Sequence, residues 1–126
     1  MWSARWSGLI KDDSVFLGHM LDELTFLMKC GDGLEFQTLL EDELLQRGIV
    51  RSLEIIGEAS KNVSDDLKAE HPEIEWKLIA GMRDKLIHHY FNVNWRIVWD
   101  VLIREVPALK IQIEELIRDN HSKPRP

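Results

Sequence analysis

The segment of the chain best equipped for chemistry is a short basic stretch in its second half. It places Arg83, Asp84, His88, His89 and Tyr90 within eight residues. A neutral histidine can take the proton from a ribose 2′-hydroxyl or protonate a leaving 5′-oxygen, since its unperturbed pKa is about 6.5. An arginine can hold a nonbridging phosphate oxygen through charge-assisted hydrogen bonds. These residue types suit metal-free RNA transesterification, although they could also form a capped helix with a surface ion pair.

The spacing of these residues restricts how one helix can present them. Arg83 and Tyr90 share one helical face, whereas Asp84 and His88 share another, so Asp84 could orient the His88 imidazole. Arg83 and His88 are five residues apart, which is roughly 140° around an ideal helix. Either the helix distorts near its end, or a second subunit beside a two-fold axis contributes to one shared cleft.

A metal centre is a weaker interpretation of the same segment. Adjacent histidines such as His88 and His89 project about 100° apart on a helix, and no HExxH spacing is present. The single cysteine, Cys30, excludes an intrachain disulfide and a cysteine-based zinc site. We therefore expect neither a metal nor a cofactor.

The chain as a whole is acidic, in contrast to this segment. Its 16 Lys and Arg residues against 22 Asp and Glu residues give a net charge of −6 at neutral pH. Nonspecific nucleic-acid binders are usually basic, because phosphate neutralisation drives most of their affinity. The charge therefore disfavours a pure binding module but allows an enzyme with a small basic cleft. The further candidate RNA contacts are Lys77, Lys85, His89 and Arg96.

The length of 126 residues suits one compact domain. We expect an N-terminal arm over 1–11, a helical domain over 12–118 and a flexible tail over 119–126. The sequence contains no run of 18 apolar residues, so it predicts no transmembrane helix. The arm lacks the apolar core of a secretory signal. A cytoplasmic protein without a membrane partner is the expectation.

The hydrophobic periodicity predicts an all-α, up-and-down bundle of four main helices plus a short one. The first helix runs from Asp12–Ser14 to about Cys30, with an apolar stripe of Leu17, Leu21, Leu24 and Met28. The later boundary signals are a capping box at Thr38, a cap at Ser64, a helix over about 73–90, a cap at Asn94 and a kink at Pro107. Gly48 and Gly57 lie inside the second helix, where they indicate close approach of a neighbouring helix.

Several segments together resemble a known family. Arg83, His88 and Tyr90 form an R-x4-H-x-Y pattern similar to the motif of HEPN-family ribonucleases. The sequence of residues 51–59, RSLEIIGEA, resembles the second-helix signature of the HepT-like branch, and residues 72–76, 81–84, 90–94 and 98–99 also fit it. The resemblance extends over roughly residues 12–116.

The resemblance implies an all-helical domain that dimerises through the motif helix and acts as a metal-independent endoribonuclease. It implies the toxin of a type VII-like toxin–antitoxin pair, whose MNT-type nucleotidyltransferase partner uses ATP to transfer AMP to the motif tyrosine. Carried over by position, Arg83 and His88 are catalytic, Asp84 supports them and Tyr90 is the modification target. RNA is then the substrate, and DNA, which lacks the 2′-hydroxyl, is not. The alternative is a noncatalytic nucleotide-binding or scaffold subunit that supports a nucleotidyltransferase.

Overall fold

The computed structural model of the protein describes residues 12–88 and 92–122, and every regular element within these ranges is helical. In chain order the elements are α1 (Asp13–Gly31), α2 (Phe36–Glu41), α3 (Glu43–Asn62), α4 (Asp65–Glu70), α5 (Trp76–His88), α6 (Trp95–Asp100), a π-helical turn (Val101–Glu105) and α7 (Val106–Ser122). The predicted all-α class is confirmed, and α2 is a short helix that the sequence analysis missed. The arm over 1–11 and residues 123–126 lie outside the described residues.

Three of the helix starts follow from capping side chains that the sequence predicted. The Asp12 carboxylate accepts a hydrogen bond from the Ser14 backbone N–H at 2.9 Å and begins α1. Ser64 caps α4 by accepting from a backbone N–H of its first turn. Asn94 accepts from two backbone N–H groups at the start of α6. Each side chain satisfies donors that have no partner within the helix.

The predicted capping box at Thr38 is wrong. Thr38 lies inside α2, and the following long helix is capped by Asp42, whose carboxylate accepts from the Leu45 N–H at 3.0 Å. Asp42 has the extended backbone geometry that an N-cap requires, with φ −98° and ψ 95°. The cap at Asp42 therefore divides into α2 and α3 what the sequence pattern presented as one helix.

The next two boundaries also depend on contacts that periodicity does not report. The motif helix, α5, begins at Trp76 rather than near residue 73. Ahead of it, the Trp76 indole N–H donates to the His71 carbonyl at 3.0 Å across the preceding turn. Ahead of Pro107 the helix widens, and the Val106 N–H donates to the Val101 carbonyl five residues back. Because proline lacks an N–H and clashes with the preceding turn, the backbone forms a π-helical turn just ahead of Pro107, at the place where the sequence predicted a kink.

The core lies where α3 packs against α1 on one side and α5 on the other, with α7 against α1. In α1 the fully buried side chains are Leu17, Met20, Leu24 and Leu27. Met28, assigned to the core stripe from sequence, is 39% exposed. The helical repeat of 3.6 residues allows either three- or four-residue steps, and the position of the neighbouring helices selects Leu27. None of the helices in the described ranges is long and apolar enough to cross a membrane.

Candidate active site

The site is built around Arg83, which lies on α5 where that helix packs against α3. The Arg83 side chain is 30% exposed. A Cβ atom added to Gly57 of α3 would overlap the Arg83 Cβ and lie 3.2 Å from the Ile79 carbonyl oxygen. The absence of a side chain at Gly57 therefore sets how closely the two helices approach, which confirms the predicted role of this glycine.

The Arg83 guanidinium is held by one carboxylate from each of the two helices. Its Nη2 lies 3.1 Å from Glu58 Oε2 on α3, and its Nη1 donates to Asp84 Oδ1 at 3.1 Å on α5. Lys61 of α3 donates to the same Asp84 oxygen at 2.7 Å. Glu58, Arg83, Asp84 and Lys61 thus form a chain of alternating charge, called here the Arg83 network. It fixes the guanidinium at the outer edge of the α3–α5 contact.

The Arg83 network determines the ionisation of Asp84. The hydrogen bond from Lys61, and then that from Arg83, hold the pKa of the Asp84 carboxyl below its ordinary value. The carboxylate is therefore ionised throughout the neutral range, so Arg83 keeps this partner at physiological pH.

The lowered pKa of Asp84 leads to a prediction about pH dependence. Since the folded-state pKa lies below the unfolded one, the stabilisation is present above the unfolded pKa and is lost as the pH falls through the folded value. We expect Asp84→Asn to be less stable than wild type at neutral pH, with a difference that vanishes in acid. Chemical unfolding at pH values from neutral to about 3 measures this difference.

Lys61 provides the control for that experiment. If the Lys61 hydrogen bond is the largest cause, Lys61→Met should reproduce most of the Asp84→Asn effect, and the double variant should add little. A difference between Asp84→Asn and wild type that persists unchanged in acid would contradict the assignment.

A pocket of about 300 Å³ opens beside Arg83 between α1 and α3. Its apolar lining residues are Phe16 of α1 and Ile55 and Ala59 of α3, and its polar lining residues include His19, Arg51 and Asn62. Arg83 and Glu58 border the same pocket. Arg83, whose guanidinium can bind a phosphate oxygen, therefore lies beside a pocket lined by both apolar and polar side chains.

The other predicted RNA contacts lie elsewhere. Lys77 and Lys85 are exposed and line a second groove, of about 730 Å³, between α5 and the α6–α7 segment. The Arg96 guanidinium lies 4.6 Å from the centre of the Phe36 ring, which itself contacts Trp99 edge-on. Arg96 thus takes part in packing between α2 and α6.

The second half of the motif is described only in part. His88 ends α5, but its side chain, together with His89 and Tyr90, lies outside the described residues. The α5 backbone remains helical through His88, so Arg83 and His88 leave its axis about 140° apart. Among the described side chains, no group of three or more His, Cys, Asp or Glu residues is arranged to hold a metal ion.

Sequence reasoning overlooked three members of the site. Glu58 lies in the segment that carries the family resemblance, which was a usable signal, but it was given no role. Lys61 gave no signal, because its partner Asp84 is 23 residues away in the chain. Arg51 was likewise quoted within that segment without being placed beside Arg83.

Comparisons with family models and with individual proteins both point to ribonucleases. The family model described as "Ribonuclease HepT-like" matches residues 20–116. A protein of Caldanaerobacter subterraneus subsp. tengcongensis named "Putative RNase" is 45% identical over 109 residues, which is 86% of this chain and 97% of the relative. A "Probable ribonuclease HepT" of Thermococcus cleftensis is 49% identical over 81 residues, or 64% of this chain and 74% of the relative. No solved structure gives a significant match.

Proposed function

The chain belongs to the HepT-like ribonuclease family, and we propose that it is a metal-independent endoribonuclease toxin that cleaves RNA by attack of the ribose 2′-hydroxyl. The observation that carries the proposal is the Arg83 guanidinium, which Glu58 and Asp84 fix at the edge of an open pocket, on the helix that ends at His88. This arrangement supports a phosphate site on the helix that also carries the candidate general acid–base.

In the proposed reaction Arg83 binds a nonbridging oxygen of the scissile phosphate and stabilises the charge that develops there. His88 provides proton transfer at the 2′-hydroxyl or at the departing 5′-oxygen. The 2′-oxygen forms a bond to phosphorus while the bond to the 5′-oxygen breaks, which leaves a 2′,3′-cyclic phosphate and a 5′-hydroxyl. Asp84 supports this step by accepting a hydrogen bond from Arg83 and holding its guanidinium. The expected contact between Asp84 and the His88 ring is not described, because the His88 side chain lies outside the described residues.

The experiment that tests this proposal uses the purified, unmodified protein. Single-stranded RNA and its DNA counterpart are incubated with it in the presence of EDTA, and the product ends are identified by mass spectrometry. We expect cleavage of the RNA alone, with cyclic phosphate ends and no inhibition by EDTA. Cleavage of DNA, or dependence on added metal, would contradict the mechanism.

A homodimer would bring Arg83 and His88 of different subunits into one cleft, since both residues project from one regular helix in different directions. Leu78 of α5 and Ile97 of α6 are 62% and 59% exposed along the second groove. They offer apolar surface beside the motif helix that a second copy can cover.

We therefore predict that sedimentation at micromolar concentration reveals a dimer. Leu78→Glu should convert it to a monomer and abolish RNA cleavage, because a charge enters the proposed interface. Leu44→Glu is the matched control, since Leu44 is 83% exposed at the start of α3 and does not line this groove. A fully active monomer would refute the shared cleft.

The proposed control is AMP transfer from ATP to Tyr90 by an MNT-type nucleotidyltransferase antitoxin. Tyr90 lies seven residues after Arg83, a spacing that would put the two on one face of a continuous helix. An attached AMP adds bulk and a phosphate anion, which can pair with Arg83 in place of the RNA phosphate. Such inactivation would persist after the partner dissociates.

Tyr90→Phe should consequently remain an active ribonuclease that its partner no longer neutralises. Wild type and variant are incubated with the cognate nucleotidyltransferase and ATP, then analysed by intact-mass measurement, peptide mapping and RNA cleavage. Wild type should gain one AMP at Tyr90 and lose activity, whereas the variant should show neither change. Neutralisation of the active variant would show that another residue or mechanism is responsible.

A further inference from the structure

The pocket beside Arg83 contains side chains that the proposed chemistry leaves without a role. His19 of α1 and Arg51 of α3 are exposed at its rim, and neither belongs to the Arg83 network. Arg51 is 71% exposed and forms a 3.5 Å ion pair with Glu54, which also lines the pocket. Its guanidinium is therefore accessible to a ligand.

We propose that this pocket binds one unpaired nucleotide of the RNA, next to the phosphate held by Arg83; the inference rests on the proposed ribonuclease function. Arg83 borders the pocket, so a phosphate on its guanidinium places the adjoining nucleoside at the pocket entrance. The volume of about 300 Å³ is at the lower end of small-molecule sites, which span roughly 300–1,000 Å³. It suits a single nucleotide rather than a longer stretch of RNA.

The chemistry of the walls fits an unpaired base. Single-stranded RNA is recognised through base faces on aromatic, apolar or guanidinium surfaces and through hydrogen bonds to base edges. Phe16 of α1 and Ile55 and Ala59 of α3 supply apolar surface to the pocket. Arg51 supplies a guanidinium plane, and Asn62 lies on the polar rim.

Charge also favours one nucleotide over an extended phosphate track. Arg51 and Arg83 are each paired with a glutamate of α3, Glu54 and Glu58 respectively. The pocket therefore carries little excess positive charge, and its contribution to RNA binding has to come mainly from the nucleoside. When an RNA phosphate takes Arg83, Glu58 is released at the pocket edge, where its oxygens can accept hydrogen bonds from a base.

The chain contains a matched control for Arg51. Arg47 lies one turn earlier on α3, is 64% exposed and pairs with Glu43 at 2.7 Å, but it does not line the pocket. Arg51→Ala and Arg47→Ala remove the same charge from the same helix. A difference in nucleotide binding or RNA cleavage between the two variants therefore reflects contacts in the pocket rather than the overall electrostatic field of the protein.

The first test is an NMR titration of wild-type protein with each of the four ribonucleoside 3′-monophosphates, and with inorganic phosphate as the comparison. We expect at least one nucleotide to shift the backbone amides of His19, Arg51 and Asn62, whereas phosphate alone leaves these amides unchanged. Arg51→Ala should weaken nucleotide binding about tenfold, as for loss of one charge-assisted contact, and Arg47→Ala should not. Shifts confined to the Lys77 and Lys85 groove, or equal binding of phosphate alone, would overturn the proposal.

The second test measures RNA cleavage. Arg51→Ala should raise KM about tenfold with kcat nearly unchanged, because it removes ground-state binding and no reacting group, while Arg47→Ala retains wild-type constants. Normal cleavage with an unchanged KM in Arg51→Ala would refute the nucleotide subsite and leave the ribonuclease function standing. Nucleotide binding in the pocket without any RNA cleavage would instead refute the ribonuclease function, so the two failures are distinguishable.

Discussion

Replacing His88 by alanine is expected to abolish RNA cleavage and toxicity while leaving the fold intact. General acid–base catalysis by a positioned side chain contributes about 10²–10⁴-fold to a rate, so the residual activity should fall near the detection limit of a gel assay. His88 is the last residue of α5, and alanine has the highest intrinsic helix propensity, so the substitution should not shorten the helix. Single-turnover cleavage of a labelled RNA measures the effect, and thermal unfolding checks the fold.

Arg83→Ala is expected to be as severe, for a different reason. In the proposed mechanism it removes the group that neutralises the phosphate in the transition state, an effect of about 10²–10³-fold for one electrostatic contact in an active site. The ion pairs of Arg83 with Glu58 and Asp84 are partly exposed, so their loss should destabilise the fold only slightly. Arg83→Lys keeps the charge but not the planar fork, and should recover only part of the activity.

Arg47→Ala is the matched control for the charge change in Arg83→Ala. It removes an exposed arginine from α3 together with its ion pair to Glu43, and it should cleave RNA at the wild-type rate. Full activity in His88→Ala would invalidate the assignment of the catalytic residues. Equal losses in Arg47→Ala and Arg83→Ala would show that overall charge, rather than the site, determines the rate.

Gly57→Ala is expected to disrupt both the fold and the site. The new methyl group would overlap the Arg83 Cβ and approach the Arg83 Cγ to 3.0 Å and the Ile79 carbonyl to 3.2 Å, so α5 has to shift away from α3. Overpacking of this kind costs about 1–3 kcal/mol, which equals or exceeds the gain of about 1 kcal/mol from replacing a helical glycine by alanine. The displaced Arg83 also leaves its partner Glu58, so RNA cleavage should fall even in molecules that remain folded.

Gly48→Ala makes the same chemical change about two and a half turns earlier in α3. There the added Cβ would meet the Phe26 ring at 3.5 Å, which is an ordinary contact. This variant should be as stable as wild type or more stable by up to about 1 kcal/mol, with unchanged cleavage. Denaturant unfolding and cleavage rates of the two variants compare them directly, and identical behaviour would contradict the close contact at Gly57.

The sequence determined those features that depend on residues close together in the chain. Asp12, Ser64 and Asn94 were recognised as caps because each bonds backbone groups within three residues of itself. The all-α class followed from apolar residues at helical spacing. The motif residues were identified because Arg83, Asp84 and His88 lie on one helix and their types suit one reaction.

The tertiary structure alone decided features in which distant segments meet. Periodicity could not choose between Leu27 and Met28 for the core, because adjacent positions flank the same apolar stripe and only the location of α3 and α7 exposes one of them. Nor could it connect Lys61 to Asp84 or predict the pocket that Arg51 shares with Arg83. These contacts depend on how closely α3 and α5 pack. Gly57 sets that distance by carrying no side chain, and only the packed helices revealed that its neighbour is Arg83.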